Sequence, residues 1–205
     1  MRRDHPWSRN RDTDNGYGWV SIALHWLSML VVVFLLILGS SIGSGGPTRA
    51  SLLDLHTSVA GSAWLLLWWR ILRRFYLGHP GPARDQRQRL FGLGKFVHQT
   101  ILVALGLMLL SGPLLVWSRG AAIAVFELSI PAPFAASSWL AAAMYWVHSW
   151  SALTVATGTT LHIIAAFKHV AIDRDGTFDK MMIAAKLRPE RPMTPDSLAH
   201  PTRKP

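Results

Sequence analysis

Histidine is a ready metal ligand in its neutral form, and four of the nine histidines in this 205-residue chain lie inside long apolar stretches. His25 and His162 fall at one common depth; His56 and His148 fall at another, towards the opposite ends of their stretches. An ionisable group placed in hydrocarbon is costly and by default marks a functional site. Two pairs of facing imidazoles are what two buried metal centres require. The spacing on the last stretch supports the pairing. His148 and His162 are 14 residues apart, which returns to within about 40° of the same helix face and separates the rings by about 21 Å along the axis.

The remaining composition narrows the metal. The chain has no cysteine, which removes iron–sulfur clusters, thiolate-bound haem and the thioether attachment of c-type haem. No Asp or Glu lies in the inner part of any apolar stretch, against a di-iron carboxylate site and against the acidic relay of a proton-coupled carrier. A structural zinc takes four protein ligands, and the two pairs are too far apart to share one. Two non-covalently held haems, each between two histidines, are the economical reading. A single such histidine would read as a hydrogen-bonded core residue; four at paired depths do not. His98 opens the third stretch, and His169 follows His162 by seven residues, about 20° off the same face. These two are read either as interfacial histidines facing headgroups or as a pair that hydrogen-bonds a quinone carbonyl and supplies protons. His5, His79 and His200 stand in polar segments and are read as surface residues.

Membrane helices are the elements that can position such pairs. Half of the residues are hydrophobic, only 16% are charged, ten are tryptophan, and the mean hydropathy is +0.25. That profile is wrong for a soluble domain and right for a membrane one. Four segments are long enough to cross about 30 Å of hydrocarbon: about Val20 to Gly39, Leu52 to Leu72, Phe96 to Trp117 and Trp139 to Val170. The segment 121–136 is apolar but broken by Pro131 and Pro133, and is expected to lie on or dip into the interface. Of 21 Lys and Arg, all but Arg49 and Arg119 fall on one side of the alternating spans. The net charge of +10 is therefore a topology signal that places both termini in the cytoplasm, and nucleic acid is not an expected partner. A cleavable signal peptide is the competing reading of the first span, but its apolar run is long for one and contains His25 and Trp26. Trp19, Trp117, Trp139, Tyr145 and Trp146 suit interfacial belts. Trp64, Trp68 and Trp69 are expected to face lipid or pack against macrocycles.

The fragments YGWVSIALHW around His25, LHTSVAG around His56, VHQTILVALGLMLLSG from Val97, VHSWSAL around His148 and LHIIAAFKHVAIDRDG through His162, His169 and Asp173 together resemble the bacterial cytochrome b561 family. The resemblance covers about Tyr17 to Met182. It implies an all-α integral membrane four-helix bundle, with a cytoplasmic arm over 1–16 and a di-haem domain over 17–182; the Pro- and charge-rich residues 183–205 are expected to be a disordered cytoplasmic tail. It further implies two haem b groups, His25 and His162 ligating the cytoplasmic-side one and His56 and His148 the periplasmic-side one. The nearest activity in that family is superoxide oxidase, with ubiquinone as electron acceptor. By resemblance, His98 and His169 stand at the quinone end, Arg70 and Arg74 match basic positions at the end of the second span, and Arg119 faces the periplasm. Arg119 would steer an anionic substrate, or else serve as a snorkelling anchor beside Trp117.

The expected function is thus an inner-membrane oxidoreductase carrying electrons from superoxide, or another periplasmic donor, to ubiquinone. An electron-carrying subunit serving a separate dehydrogenase is the first alternative, and a haem-free transporter or scaffold the second. Membrane lipid is an expected partner, and a homodimer or a partner dehydrogenase is compatible with the pattern.

Overall fold

Each of the four apolar stretches is helical in the computed structural model, which describes residues 12–13, 16–43, 48–78, 80–82 and 88–184. The helices are α1 (Trp19–Gly43), α2 (Arg49–Leu77), α3 (Gln88–Ser118) and α4 (Ser138–Lys168). His5, His79, His200, the basic arm before Asp12, Arg84, Arg87 and the tail after Ala184 lie outside the described residues. In a medium without water, helices satisfy their backbone groups internally. Their ends follow local chemistry. Gly78, at φ 67°, closes α2 with its N–H on the Arg74 carbonyl, and Ser137 caps α4 by accepting the Leu140 N–H.

Among the described residues, three helical runs are long and apolar enough to cross a membrane: Trp19–Ile42, Gln88–Ser118 and Ser138–Asp173. The fourth expected span, α2, is long enough at 29 residues but more polar. Asp54, His56, Arg70, Arg73 and Arg74 all lie on it.

Packing pairs α1 with α2 and α3 with α4, with thinner contact between the two pairs. The core is small and central: Ala63, Leu67 and Ile71 from α2, Leu102, Ala104, Leu105 and Leu109 from α3, and Val155 from α4. Val155 is fully buried and stands seven residues, two turns, from both His148 and His162. The core therefore separates the two histidine levels. Large apolar side chains are instead turned outward, among them Leu65 at 74% and Trp139 at 77% exposed. This distribution suits a lipid solvent, in which association rests on close packing of small residues. Gly158 is one of them. A Cβ there would stand 2.7 Å from Ile101 Cγ1, so α3 and α4 approach as closely as glycine permits.

Pro113 interrupts α3. It has no N–H to give the Leu109 carbonyl four residues earlier. Trp64 of α2 fills that gap, its Nε1–H donating to the Leu109 oxygen at 3.0 Å. Sequence reasoning expected Trp64 to face lipid or a macrocycle; the structure gives its indole a different task, repairing a proline break.

Between α3 and α4 the apolar segment folds as a β-hairpin, β1 (Ile123–Val125) antiparallel to β2 (Leu128–Ile130), with Phe126 in the left-handed region at φ 52°. It packs on α2. Ser58 Oγ accepts the Phe126 N–H at 2.8 Å, and a Cβ on Gly61 would meet Val125 Cγ2 at 2.6 Å. At the other end, the chain after α4 continues through a π-helical turn (His169–Asp173) and a 3₁₀ turn (Phe178–Met181) as a returning strap. Trp26 Nε1 donates to the Met181 carbonyl at 3.0 Å, and Lys180 Nζ to the Gly81 carbonyl at 2.8 Å. Asp12 latches the opposite terminus. Its carboxylate accepts from the Gly18 N–H at 2.8 Å and Ser21 Oγ at 2.9 Å, and faces Arg73 and Arg74.

Candidate haem-binding sites

At the hairpin end, His56 of α2 and His148 of α4 face each other with ring centroids 6.4 Å apart and planes 75° to one another. Glycines on the neighbouring helices make room for both rings. A Cβ on Gly39 would stand 3.6 Å from His56 Cε1, and one on Gly112 only 3.4 Å from His148 Cε1. Ser111 defines the tautomer of His148. The single hydroxyl proton of Ser111 is directed to the Leu107 carbonyl at 2.6 Å, with Met108 at 3.4 Å, while Oγ lies 3.2 Å from His148 Nδ1. With its proton so used, Oγ accepts from Nδ1–H, and Nε2 keeps a free lone pair. His56 Nδ1 is buried and has no hydrogen bond among the described residues.

At the strap end, His25 of α1 and His162 of α4 stand 6.2 Å apart at 86°. They line a cavity between the two helix pairs. All four helices contribute to its wall, together with Tyr17 and the strap residue Met181. Arg70 Nη2 donates to His25 Nδ1 at 2.9 Å, and His98 Nε2 lies 3.2 Å from His162 Nδ1. The Arg74 guanidinium is stacked over the Tyr17 ring at 4.6 Å. Burial raises the Tyr17 phenol above its ordinary range, against the pull of Arg74.

The donor sets fit iron held between two imidazoles. Metal–nitrogen bonds of about 2 Å, plus about 1.1 Å from each nitrogen to its ring centre, put the two centroids roughly 6.3 Å apart. The observed 6.2 and 6.4 Å bracket that value. At His148 and His162 the side-chain contacts end on Nδ1 and leave Nε2 for a metal, the division of labour expected of a ligating histidine and its outer partner. At His25 the neighbour of Nδ1 is a donor, Arg70, so that nitrogen accepts, and a metal on Nε2 would find the ring without its Nδ1 proton.

The two remaining histidines of interest have different partners. His98 belongs to the cavity, beside His162. His169 opens the π-helical turn, with Nδ1 2.8 Å from Asp175 Oδ2 and 3.2 Å from Asp173 Oδ2. Lys168 Nζ donates to Asp173 at 2.7 Å. Burial works against the ionised form of Asp175, but the hydrogen bond from the Thr177 N–H, with the Thr177 hydroxyl and His169 nearby, holds its carboxyl below the usual range. Burial lowers the Lys180 ammonium. Arg119 follows α3 at the hairpin end; it is exposed and makes no ion pair among the described residues. Sequence reasoning passed over Ser111, Asp12 and Ser58. A serine between apolar residues of a span was the available signal for the first and third.

A family profile described as prokaryotic cytochrome b561 matches residues 16–183. The chain is also similar to Cytochrome b561 homolog 2 of Escherichia coli (strain K12), at 29% identity over 177 residues, 83% of this chain and 93% of that relative. The matched region contains both histidine pairs and all four helices that carry them. By that match the chain belongs to the prokaryotic cytochrome b561 family, membrane-integral electron-transfer cytochromes that bind haem b.

Proposed function

We propose that this protein is a di-haem oxidoreductase of the bacterial inner membrane that moves electrons from periplasmic superoxide to ubiquinone. The observation that carries the reading is the pair of histidine couples, 6.4 Å apart at the hairpin end and 6.2 Å at the strap end. In this reading α2 is the fourth span, its arginines 70, 73 and 74 gather at the cytoplasmic end, and both termini are cytoplasmic. The hairpin then faces the periplasm and the strap the cytoplasm.

His56 and His148 would hold the outer haem b, and His25 and His162 the inner one. When bound, these groups supply one-electron chemistry at two depths of the membrane. The protein's own residues do the rest. Ser111 keeps the His148 proton on Nδ1, and the core around Leu67 and Val155 excludes water between the levels. Arg119 is exposed beside the hairpin, where a cation raises the local concentration of an anionic substrate. His169, facing Asp173 and Asp175 at the cytoplasmic end, is placed to pass protons to a quinone. The chemistry balances. Two superoxide anions lose one electron each and become dioxygen, while one ubiquinone gains two electrons and two protons and becomes ubiquinol.

The test uses purified protein in vesicles with a short-chain ubiquinone and an enzymatic source of superoxide. The reading predicts quinol formation at one quinol per two superoxide, abolished by superoxide dismutase and reduced in Arg119→Gln. Absence of turnover until a dehydrogenase is added would overturn the superoxide assignment in favour of an electron-carrying subunit.

A further inference from the structure

We propose that His98 is a positioning residue for His162, accepting the Nδ1 proton of that ligand through its own Nε2, so that it sets the potential of one haem rather than touching quinone through that nitrogen. The inference rests on the reading that His25 and His162 clasp a haem.

Three observations lead to it. The Nε2 of His98 lies 3.2 Å from His162 Nδ1, with the rings tilted by 57° and their centroids 4.6 Å apart. This is a hydrogen-bond distance between two nitrogens, one of which must donate. If His162 gives Nε2 to a metal, its proton sits on Nδ1, and His98 Nε2 must then be the acceptor. The contact is also built into the packing. His98 and Ile101 lie three residues apart on α3, Gly158 and His162 four apart on α4, so each pair shares a helix face. Ile101 sits where Gly158 leaves no room for a Cβ, at 2.7 Å, so the helices are pressed together one turn inward from the two histidines. Finally, the arrangement repeats what Ser111 does for His148 at the hairpin end, with an imidazole as the acceptor instead of a hydroxyl. The same role filled on the same helix at both levels is unexpected of a residue kept for quinone.

An acceptor on the distal nitrogen makes a ligating imidazole more basic. A more basic ligand favours ferric over ferrous iron, so the acceptor lowers the potential of the haem it serves. Redox potentiometry on the purified holoprotein tests this, with His98→Leu removing the acceptor and His98→Gln returning an acceptor oxygen near the position of Nε2. The expected result is an upward shift in the potential of one haem in His98→Leu, namely the haem lost in His162→Ala, with the other haem unmoved. His98→Gln should bring the shifted potential back towards that of the unmodified protein. If His98→Leu purifies without that haem, its retention in His98→Gln supports the assignment, and loss in both variants overturns it. Unchanged potentials in His98→Leu would also overturn it, and a rise in KM for quinone alone would return His98 to the quinone site. Failure of the underlying haem reading looks different: His162→Ala would then keep the full complement of pigment.

Discussion

Ser111→Ala isolates one outer contact of His148, a ligand of the outer haem in the proposed function. The hydroxyl gives its proton to the Leu107 carbonyl and receives one from His148 Nδ1 at 3.2 Å. Alanine fits the space, since Ser111 is 1% exposed and only an oxygen is removed. The helix keeps its own backbone bonds, so the loss falls on His148. Its buried Nδ1–H loses the hydroxyl acceptor, at a cost of about 1–3 kcal/mol. Alternatively the proton moves to Nε2, which disables that nitrogen as a ligand. At 1.4 kcal/mol per tenfold, the cost corresponds to haem binding weakened roughly 5- to 150-fold, in line with outer-partner losses of about 10–100-fold at metal sites. The assay follows transfer of haem from the purified holoprotein to an excess of apomyoglobin. One of the two haems should leave faster by that factor in Ser111→Ala, and the other at the unmodified rate. Ser118→Ala is the control, because Ser118 is equally buried but donates to Leu115 and touches no histidine. Unaltered transfer of both haems, or the same acceleration in Ser118→Ala, would refute the reasoning.

Other consequences follow from the packing. Trp64→Phe should destabilise by about 1–3 kcal/mol, since it orphans the Leu109 carbonyl, and much less in a Pro113→Ala background, where residue 113 supplies the missing N–H; thermal unfolding of the two single variants, the double variant and the unmodified protein measures the coupling. Gly61→Ala should lower the melting temperature by pressing a methyl on Val125. In a Val125→Ala background the sign should reverse, because alanine exceeds glycine in a helix by up to about 1 kcal/mol. Asp175 has its carboxyl held below the ordinary range, so its contribution is complete above the unfolded value of about 3.9 and is lost as pH falls through the lower folded value. Proteolytic release of the strap should therefore increase below that range, and Asp175→Asn should release it more readily at neutral pH while flattening the acid-side dependence.

Much of the site was legible because membrane burial makes each polar residue conspicuous. The histidine levels follow from counting along apolar runs, and 14 residues on one helix fix two of the four histidines on one face. The pairing of α1 with α4 and of α2 with α4 required only matching depths. What was not legible depends on side-chain partners from distant segments. Ser111 in a run of leucines gives no hint that its proton is spent on its own helix and its lone pair on His148. Trp64 looks like any lipid-facing indole until Pro113 is seen to leave a carbonyl free. Residues 121–136 read as a proline-broken interfacial stretch, yet the β-branched flanks of Phe126–Glu127 pair as a hairpin against α2. His98 and His169 looked alike from their interfacial positions, but one faces a neighbouring helix and the other its own carboxylates. The polarity of α2 had the opposite effect, since the arginines that close its cavity end also keep it below the hydropathy of the other three helices.

The most direct test of the central claim is haem stoichiometry by pyridine haemochrome on the purified protein and its four histidine variants. Two haem b per chain are predicted, falling to one in His56→Ala or His148→Ala and to one, of different potential, in His25→Ala or His162→Ala. A folded protein with no haem, or variants of His148 and His162 that keep both, would contradict the account.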